Sequence, residues 1–336
     1  MTALTAADPA DTVTDLPLLL AEVEVVSVER LSPTFLRLEL GGAGLADFGV
    51  DGPLYDQRFK LVVPHEGGGL TSVEGADEGW LSTWMERPVE ERGHMRTYTV
   101  REVRGTGTDT RIVVDFALHD AGDHGEIGPG AGWGAQARPG DRAVVVAPRR
   151  GHPFGGIEFV PPAGHRLLLV GDETAVPAIS AILECLPHDA RGAAYLEVPV
   201  DGDILDLRHP DGVEITWLPR NGATWGERLT PAVVDHLGAP LPDDPAVGWL
   251  PAEDEVDPDL WETPTYSSSG EEIAPVEAGH LPQAADKHRL DGLYAWIAGE
   301  AAVVTGLRRH LVRELGMDRS QVAFMGYWRR GISMKS

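Results

Sequence analysis

The segment RLLLVGDETAVPAISAILECL, residues 166–186, decides how the second half of the chain folds. Arg166–Val170 is a short apolar run that ends at Gly171. Val176, Ile179, Ile182, Leu183 and Leu186 then recur at helical spacing. Pro177 is tolerated if it falls in the first helical turn. An apolar strand, a tight glycine turn and a helix start form the repeating unit of a parallel sheet. The unit returns near the end of the chain: Tyr294–Ala298 reads as a strand, Gly299 as the turn and Ala301–Leu315 as a helix, with Val322–Met325 as a closing strand. Strands this uniformly apolar need cover on both faces, which predicts a three-layer α/β domain.

Toward the N-terminus the pattern changes. Val23, Val25 and Val28 are followed, past Ser32-Pro33, by Phe35, Leu36, Leu38 and Leu40. Phe59–Val63, Met95–Val103, Ile112–Leu118 and Arg142–Ala147 are further β-rich runs, with a polar insertion over His65–Gly93. Many short strands with Gly/Pro punctuation predict an antiparallel β-barrel. The expected organisation is a disordered tail over 1–18, a barrel domain over 19–155 and an α/β domain over 156–336. Residues 241–290 hold twelve acidic and two basic side chains with several prolines, and read as an exposed, mobile acidic insertion.

The 336 residues carry 53 acidic and 28 basic side chains, a formal charge of -25. A field of that sign argues against nucleic acid and anionic membranes as partners. The single cysteine, Cys185, excludes an internal disulfide, a CxxC zinc site and a cysteine-ligated iron–sulfur cluster. None of the twelve histidines pairs at HxxxH or HxxEH spacing, so no metal centre is expected. Met1–Asp15 has no basic residue, and Leu16–Ala21 is too short to span a bilayer. A soluble cytoplasmic monomer is the expectation.

Four motifs carry candidate chemistry. In Arg96-Thr97-Tyr98-Thr99, strand alternation puts Arg96 and Tyr98 on one face, where a guanidinium and a phenol ring suit a ligand joining phosphate to an aromatic ring. Gly128-Pro129-Gly130-Ala131-Gly132-Trp133 reads as a Gly-rich loop able to offer N–H groups to a pyrophosphate, with His119 or Trp133 nearby. Gly171-Asp172-Glu173-Thr174 lies at a strand-to-helix turn where a helix start faces an anion, and Gly299-Glu300 repeats that geometry. GxGxxG is absent, so a standard Rossmann site is not supported. Tyr327, Trp328, Arg329 and Arg330 read either as a cover for a ring and an anion or as a solvated tail.

Taken in order, these pieces resemble the siderophore-interacting proteins, flavin-dependent ferric-siderophore reductases related to ferredoxin-NADP reductases. The matches run from Asp56–Leu61 through Arg96–Arg101, Asp115–His119, Gly128–Trp133, Arg138–Asp141, Gly171–Ala175 with Pro177, Trp217–Arg220 and Gly299–Ala301 to Gly326–Gly331. Ala131 stands where the family commonly has a serine hydroxyl.

The resemblance implies an FAD-binding barrel and an NAD(P)H-binding α/β domain. By position, Arg96 is the pyrophosphate ligand and Tyr98 lies against the isoalloxazine. Thr99 bonds near its reactive nitrogen; Thr97, Asp115, His119 and Gly128–Trp133 complete the FAD site. Gly171–Thr174 and Gly299-Glu300 resemble the nicotinamide-nucleotide site, and Tyr327 and Trp328 are further expected cofactor-binding residues. Lys60 matches a basic position that holds the anionic ferric siderophore, and Arg149, Arg150, Arg329 and Arg330 are its expected companions. NADH and NADPH both stay open as donor; Arg220 serves a 2′-phosphate or is a surface charge. Two alternatives remain: a flavin reductase with another acceptor, and a non-catalytic ferric-siderophore-binding protein.

Overall fold

The computed structural model describes residues 16–118, 128–238, 261–262 and 290–330. The insertion read over 241–290 and the candidate His119 therefore lie almost wholly outside the described residues. The first sheet contains β1 (Leu18–Arg30), β2 (Phe35–Gly41), β3 (Arg58–Val63), β4 (His94–Thr99), β5 (Glu102–Arg104), β6 (Arg111–Ala117) and β7 (Arg142–Pro148). Their order is β4-β3-β7-β1-β2-β6-β5, and every pairing is antiparallel. β4 and β5 stand at opposite ends of that order, yet only Val100 and Arg101 separate them in the chain. Val100 donates its N–H to Gln57 O at 2.8 Å and Arg101 to Val113 O at 2.9 Å, so this segment closes the sheet into a barrel. Inward-facing Leu38, Leu40, Leu61, Ile112, Val114 and Val145 are fully buried and fill it. β1 begins at Leu18, with Leu16 already buried, so ordered structure reaches into the span read as a tail.

Within the insertion between β3 and β4, α1 (Trp80–Glu86) and the one-turn α2 (Val89–Arg92) supply an apolar lid. Trp80 and Trp84 pack over Val62 and Val144 on the barrel's outer face. The segment read as a Gly-rich loop is instead helical: α3 spans Pro129–Gln136. Proline at the first helical position is pre-set for that start. The glycines serve close approach: a Cβ at Gly134 would lie 2.6 Å from the Phe116 ring.

The second sheet orders β10 (Val213–Pro219), β9 (Gly192–Val198), β8 (Arg166–Gly171), β12 (Leu293–Glu300), β13 (Val322–Trp328) and β11 (Trp261–Glu262). All pairs are parallel except the edge strand β11. On β8, Leu167 and Leu169 meet α4 (Val176–Cys185), while Leu168 and Val170 meet α5 (Leu229–His236) and α6 (Ala301–Arg308) on the other face. This is the predicted three-layer arrangement. β13 runs three residues past the predicted end, so Tyr327 and Trp328 belong to a strand and not to a solvated tail.

Buried polar contacts join the two sheets. Asp203, fully buried after β9, accepts Ser32 Oγ at 2.7 Å, Thr34 N at 2.8 Å and Thr34 Oγ1 at 2.9 Å. Arg101 forks onto Glu184 of α4 at 2.9 and 2.6 Å.

Candidate functional site

Arg96 and Tyr98 share one face of β4, and the start of α3 lies over them. A Cβ at Gly130 would come within 2.4 Å of the Tyr98 hydroxyl and 3.0 Å of Arg96 Cγ, so glycine alone permits this approach. Tyr98 packs on Phe116 with ring centroids 4.3 Å apart, and Trp133 lies beyond at 6.2 Å. Burial pushes the Tyr98 phenol up, with Arg96 opposing. Arg96 is half-buried, and burial holds its guanidinium below the ordinary value. It donates to its neighbour's carbonyl, Met95 O, at 2.8 Å, and among the described residues no carboxylate meets it. Among the described residues no side chain caps α3, whose Ncap is Gly128. A desolvated cation beside an uncapped helix start is suited to an anion.

Among the described residues β4 pairs only with β3, which leaves its other edge unpaired there. A planar ligand along that edge has Tyr98 on one face of the strand and Thr97 and Thr99 on the other. Phosphate, ring and edge contacts thus all fit FAD; Ala131 in the first turn of α3 offers an N–H but no hydroxyl.

Lys60 lies opposite Thr97 and donates Nζ to Thr97 Oγ1 at 2.6 Å. Burial, then neighbouring Arg58, holds its ammonium below the ordinary lysine range. Arg58, two residues earlier on the same strand face, was not among the predicted substrate ligands; that spacing was the available signal. It is ion-paired to buried Glu158. The predicted companions are placed otherwise. Buried Arg149 donates to Leu16 O at 2.9 Å and Arg150 to Phe48 O at 3.1 Å. Arg330 sets its guanidinium 5.5 Å from the Trp225 ring centroid, with Arg329 half-buried beside it.

Asp115 also departs from expectation. Alternation on β6 turns Phe116 toward Tyr98 and Asp115 to the opposite face, where Arg37 forks onto it at 2.7 and 2.8 Å. Arg101 Nε is a further 3.6 Å partner. This carboxylate joins an interdomain charge cluster and not the group around Arg96.

The carboxyl edge of the parallel sheet gathers Gly171–Thr174, Gly299-Glu300, Tyr327 and Trp328. Asp172 Oδ1 accepts Thr174 N at 2.9 Å, and Oδ2 accepts Glu300 N at 2.7 Å and the Trp328 indole at 2.8 Å. Gly299, at φ +144°, keeps this contact possible: a Cβ there would sit 2.7 Å from the Asp172 carboxylate. The tyrosyl ring of Tyr327 lies edge-on to Trp296, centroids 6.3 Å apart, and burial pushes its phenol up.

Of the two helix starts expected at this edge, that of α4 carries no side-chain cap among the described residues and that of α6 is capped. Glu300 Oε2 accepts Ala302 N at 2.7 Å and Val303 N at 3.1 Å, so α6 is capped by its own carboxylate. Glu197 likewise accepts Gly226 N at 2.9 Å and Leu229 N at 3.2 Å at the start of α5, and burial pushes its carboxyl up to about 7. Arg220 is no surface charge: it is buried and forks onto Glu173 at 2.7 and 2.8 Å. The aromatic and glycine surfaces suit a nucleotide's uncharged parts, whereas the helix start of α6 offers nothing to its phosphates.

Among the described residues no helix is long and apolar enough to cross a membrane, and no cluster of three His, Cys, Asp or Glu side chains is arranged for a metal.

Comparison with known proteins agrees with both halves of this layout. Residues 24–152 match the siderophore-interacting FAD-binding domain, and residues 164–331 match the siderophore-interacting protein model. The chain is 27% identical over 310 residues to the ferric vibriobactin reductase ViuB of Vibrio cholerae, covering 92% of this chain and 89% of that one. It is 32% identical over 213 residues to the NADPH-dependent ferric-chelate reductase of Escherichia coli, covering 62% and 74%. The crystal structure of a siderophore utilization protein from T. fusca superposes with a TM-score of 0.64 at 28% identity, covering 98% of both chains.

Proposed function

The chain belongs to the siderophore-interacting protein family, and we propose that it reduces ferric siderophores, using FAD and a nicotinamide nucleotide as electron donor. The observation that carries this reading is Arg96: a half-buried guanidinium, unmatched by carboxylate, beside an uncapped helix start in a chain of net charge -25. When bound, FAD takes up an electron pair and gives electrons singly, which is the chemistry that joins a nicotinamide donor to an iron acceptor.

The chain's own residues bind and orient. Arg96 and the first N–H groups of α3 hold the pyrophosphate. Tyr98, fixed between Phe116 and Gly130, sets the plane of the ring, and Thr97 and Thr99 border its polar edge. Lys60, with Arg58 behind it, attracts the anionic ferric chelate. Iron is held far more weakly as Fe(II) than as Fe(III) by such chelators, so one-electron reduction releases it.

The test is an anaerobic visible titration of the purified full chain with FAD, then NADPH or NADH, then a ferric siderophore. A flavin band that bleaches with nucleotide and returns with siderophore is the expected result. A band that stays bleached points to another acceptor. A chain that binds ferric siderophore but takes up no flavin would be a binding protein.

A further inference from the structure

His94 lies two residues before Arg96 on the same face of β4, about 6.6 Å along the strand. Its Nε2 is 3.1 Å from Nδ1 of His65, which follows β3, and the ring centroids are 5.3 Å apart. Both imidazoles are half-buried. The charged groups that face His94 are Arg96 on its own strand, Arg92 at the end of α2 and His65 itself. Arg92 stacks its guanidinium 4.6 Å from the Trp84 ring centroid. Among the described residues none of the groups acting on His94 is a carboxylate.

A bond between two ring nitrogens needs one proton in it. In the neutral pair, one imidazole donates inward and the other accepts, whichever tautomer is present. The two outward nitrogens, His65 Nε2 and His94 Nδ1, are then one donor and one acceptor. One added proton converts the outward acceptor into a second donor without breaking the inner bond. A second added proton would set two N–H groups against each other, so the pair takes up only one while the bond lasts.

We propose that the His65–His94 pair is a proton-gated part of the FAD site, turning a second N–H toward the phosphate–ribose end of the cofactor when it is protonated. The proposal rests on the FAD reading of β4. In that reading Tyr98, Arg96 and His94 succeed one another along the ligand, from ring to pyrophosphate and beyond. Burial, then Arg96, His65 and Arg92, hold the His94 imidazole below the ordinary histidine range in the FAD-free chain. Bound pyrophosphate offsets the two arginine charges and raises the pair's proton affinity. Binding therefore takes up a proton, and FAD affinity increases as pH falls.

The experiment measures FAD affinity of the flavin-stripped full chain by fluorescence quenching from about pH 5.5 to 8.5, a range in which the pyrophosphate of FAD keeps its charge and histidine titrates. Calorimetry in two buffers of different ionisation enthalpy counts the protons. The expected result is a Kd that tightens toward about tenfold per pH unit where one proton is taken up. His94→Gln and, separately, His65→Gln each flatten that slope and abolish the uptake. FAD binding without proton uptake, or a slope in both variants as steep as that of the wild type, would overturn the proposal while leaving the FAD reading intact. No FAD binding at any pH would overturn that reading and the proposal with it.

Discussion

The indole N–H of Trp296 donates to Asp56 Oδ2 at 3.0 Å, bonding a central strand of the parallel sheet to the residue that leads into barrel strand β3. The same carboxylate accepts the backbone N–H groups of Glu158 and Phe159, each at 3.1 Å, so one buried side chain ties barrel, connecting segment and sheet together. The barrel and the nucleotide edge keep a fixed relation because such contacts, with Asp203 and Arg101–Glu184, are satisfied across the boundary.

Asp56 gives the fold a pH dependence with a definite sign. Burial pushes its carboxyl from 3.8 up to about 6, with the Phe159, Trp296 and Glu158 donors opposing. The folded value lies above the unfolded one, so the contribution is fully present below the unfolded value and is lost as pH rises through about 6. Urea denaturation between about pH 4.5 and 8 should show this loss, and Asp56→Asn should flatten it. At about pH 7.5, Trp296→Phe leaves the carboxylate one donor short and costs about 1–3 kcal/mol.

Gly130→Ala separates site geometry from fold stability. The added methyl meets the Tyr98 hydroxyl and Arg96 Cγ and must displace one of them, while alanine favours the helix by up to about 1 kcal/mol over glycine. FAD affinity, read by flavin fluorescence, should fall by about tenfold or more with thermal stability of the flavin-free chain little changed. Unaltered affinity would place the FAD site elsewhere.

Both sheets were legible in the sequence because their strands alternate cleanly or run wholly apolar, as in Leu38–Leu40 and Leu168–Val170. Arg96 and Tyr98 were correctly assigned to one face on the same periodicity. β9, β10 and α5 went unassigned: β9 reads GAAYLEV, too mixed in size to signal a buried strand alone. α3 was mistaken for a loop because its glycines lower helix propensity, and only the barrel packed beneath Gly130 and Gly134 accounts for them. The Glu300 cap of α6 is local, to Ala302 and Val303, and was missed. Spacing could not reveal that Arg220 is buried against Glu173 or that Asp115 faces Arg37, since each depends on a distant partner.

Arg220 tests that last point. Arg220→Ala leaves Glu173, almost fully buried, without its forked partner and should lower stability by about 3–5 kcal/mol in urea denaturation. A 2′-phosphate ligand would behave otherwise, raising the KM for NADPH selectively over NADH with stability retained. Arg220→Ala combined with Glu173→Gln should recover part of the lost stability, because the uncompensated charge is removed.

Lys60 tests the substrate side. Its ammonium has Thr97 Oγ1 as a hydrogen-bond partner and stands on the face of β4 opposite Arg96 and Tyr98. Lys60→Ala should therefore weaken ferric-siderophore binding by roughly 10–100-fold, the worth of about 1.5–3 kcal/mol for a hydrogen bond to a charged group. FAD affinity should not change. The overall charge of -25 does not forbid an anionic substrate, since at about 0.15 M salt screening over roughly 8 Å lets the local cation prevail. Because burial and Arg58 hold Lys60 below the ordinary lysine range, affinity should be fully present at lower pH and decline as pH rises through that depressed value. Titrations across alkaline pH should show the decline in the wild type and its absence in Lys60→Ala; siderophore affinity that Lys60→Ala leaves intact would remove Lys60 from the pocket.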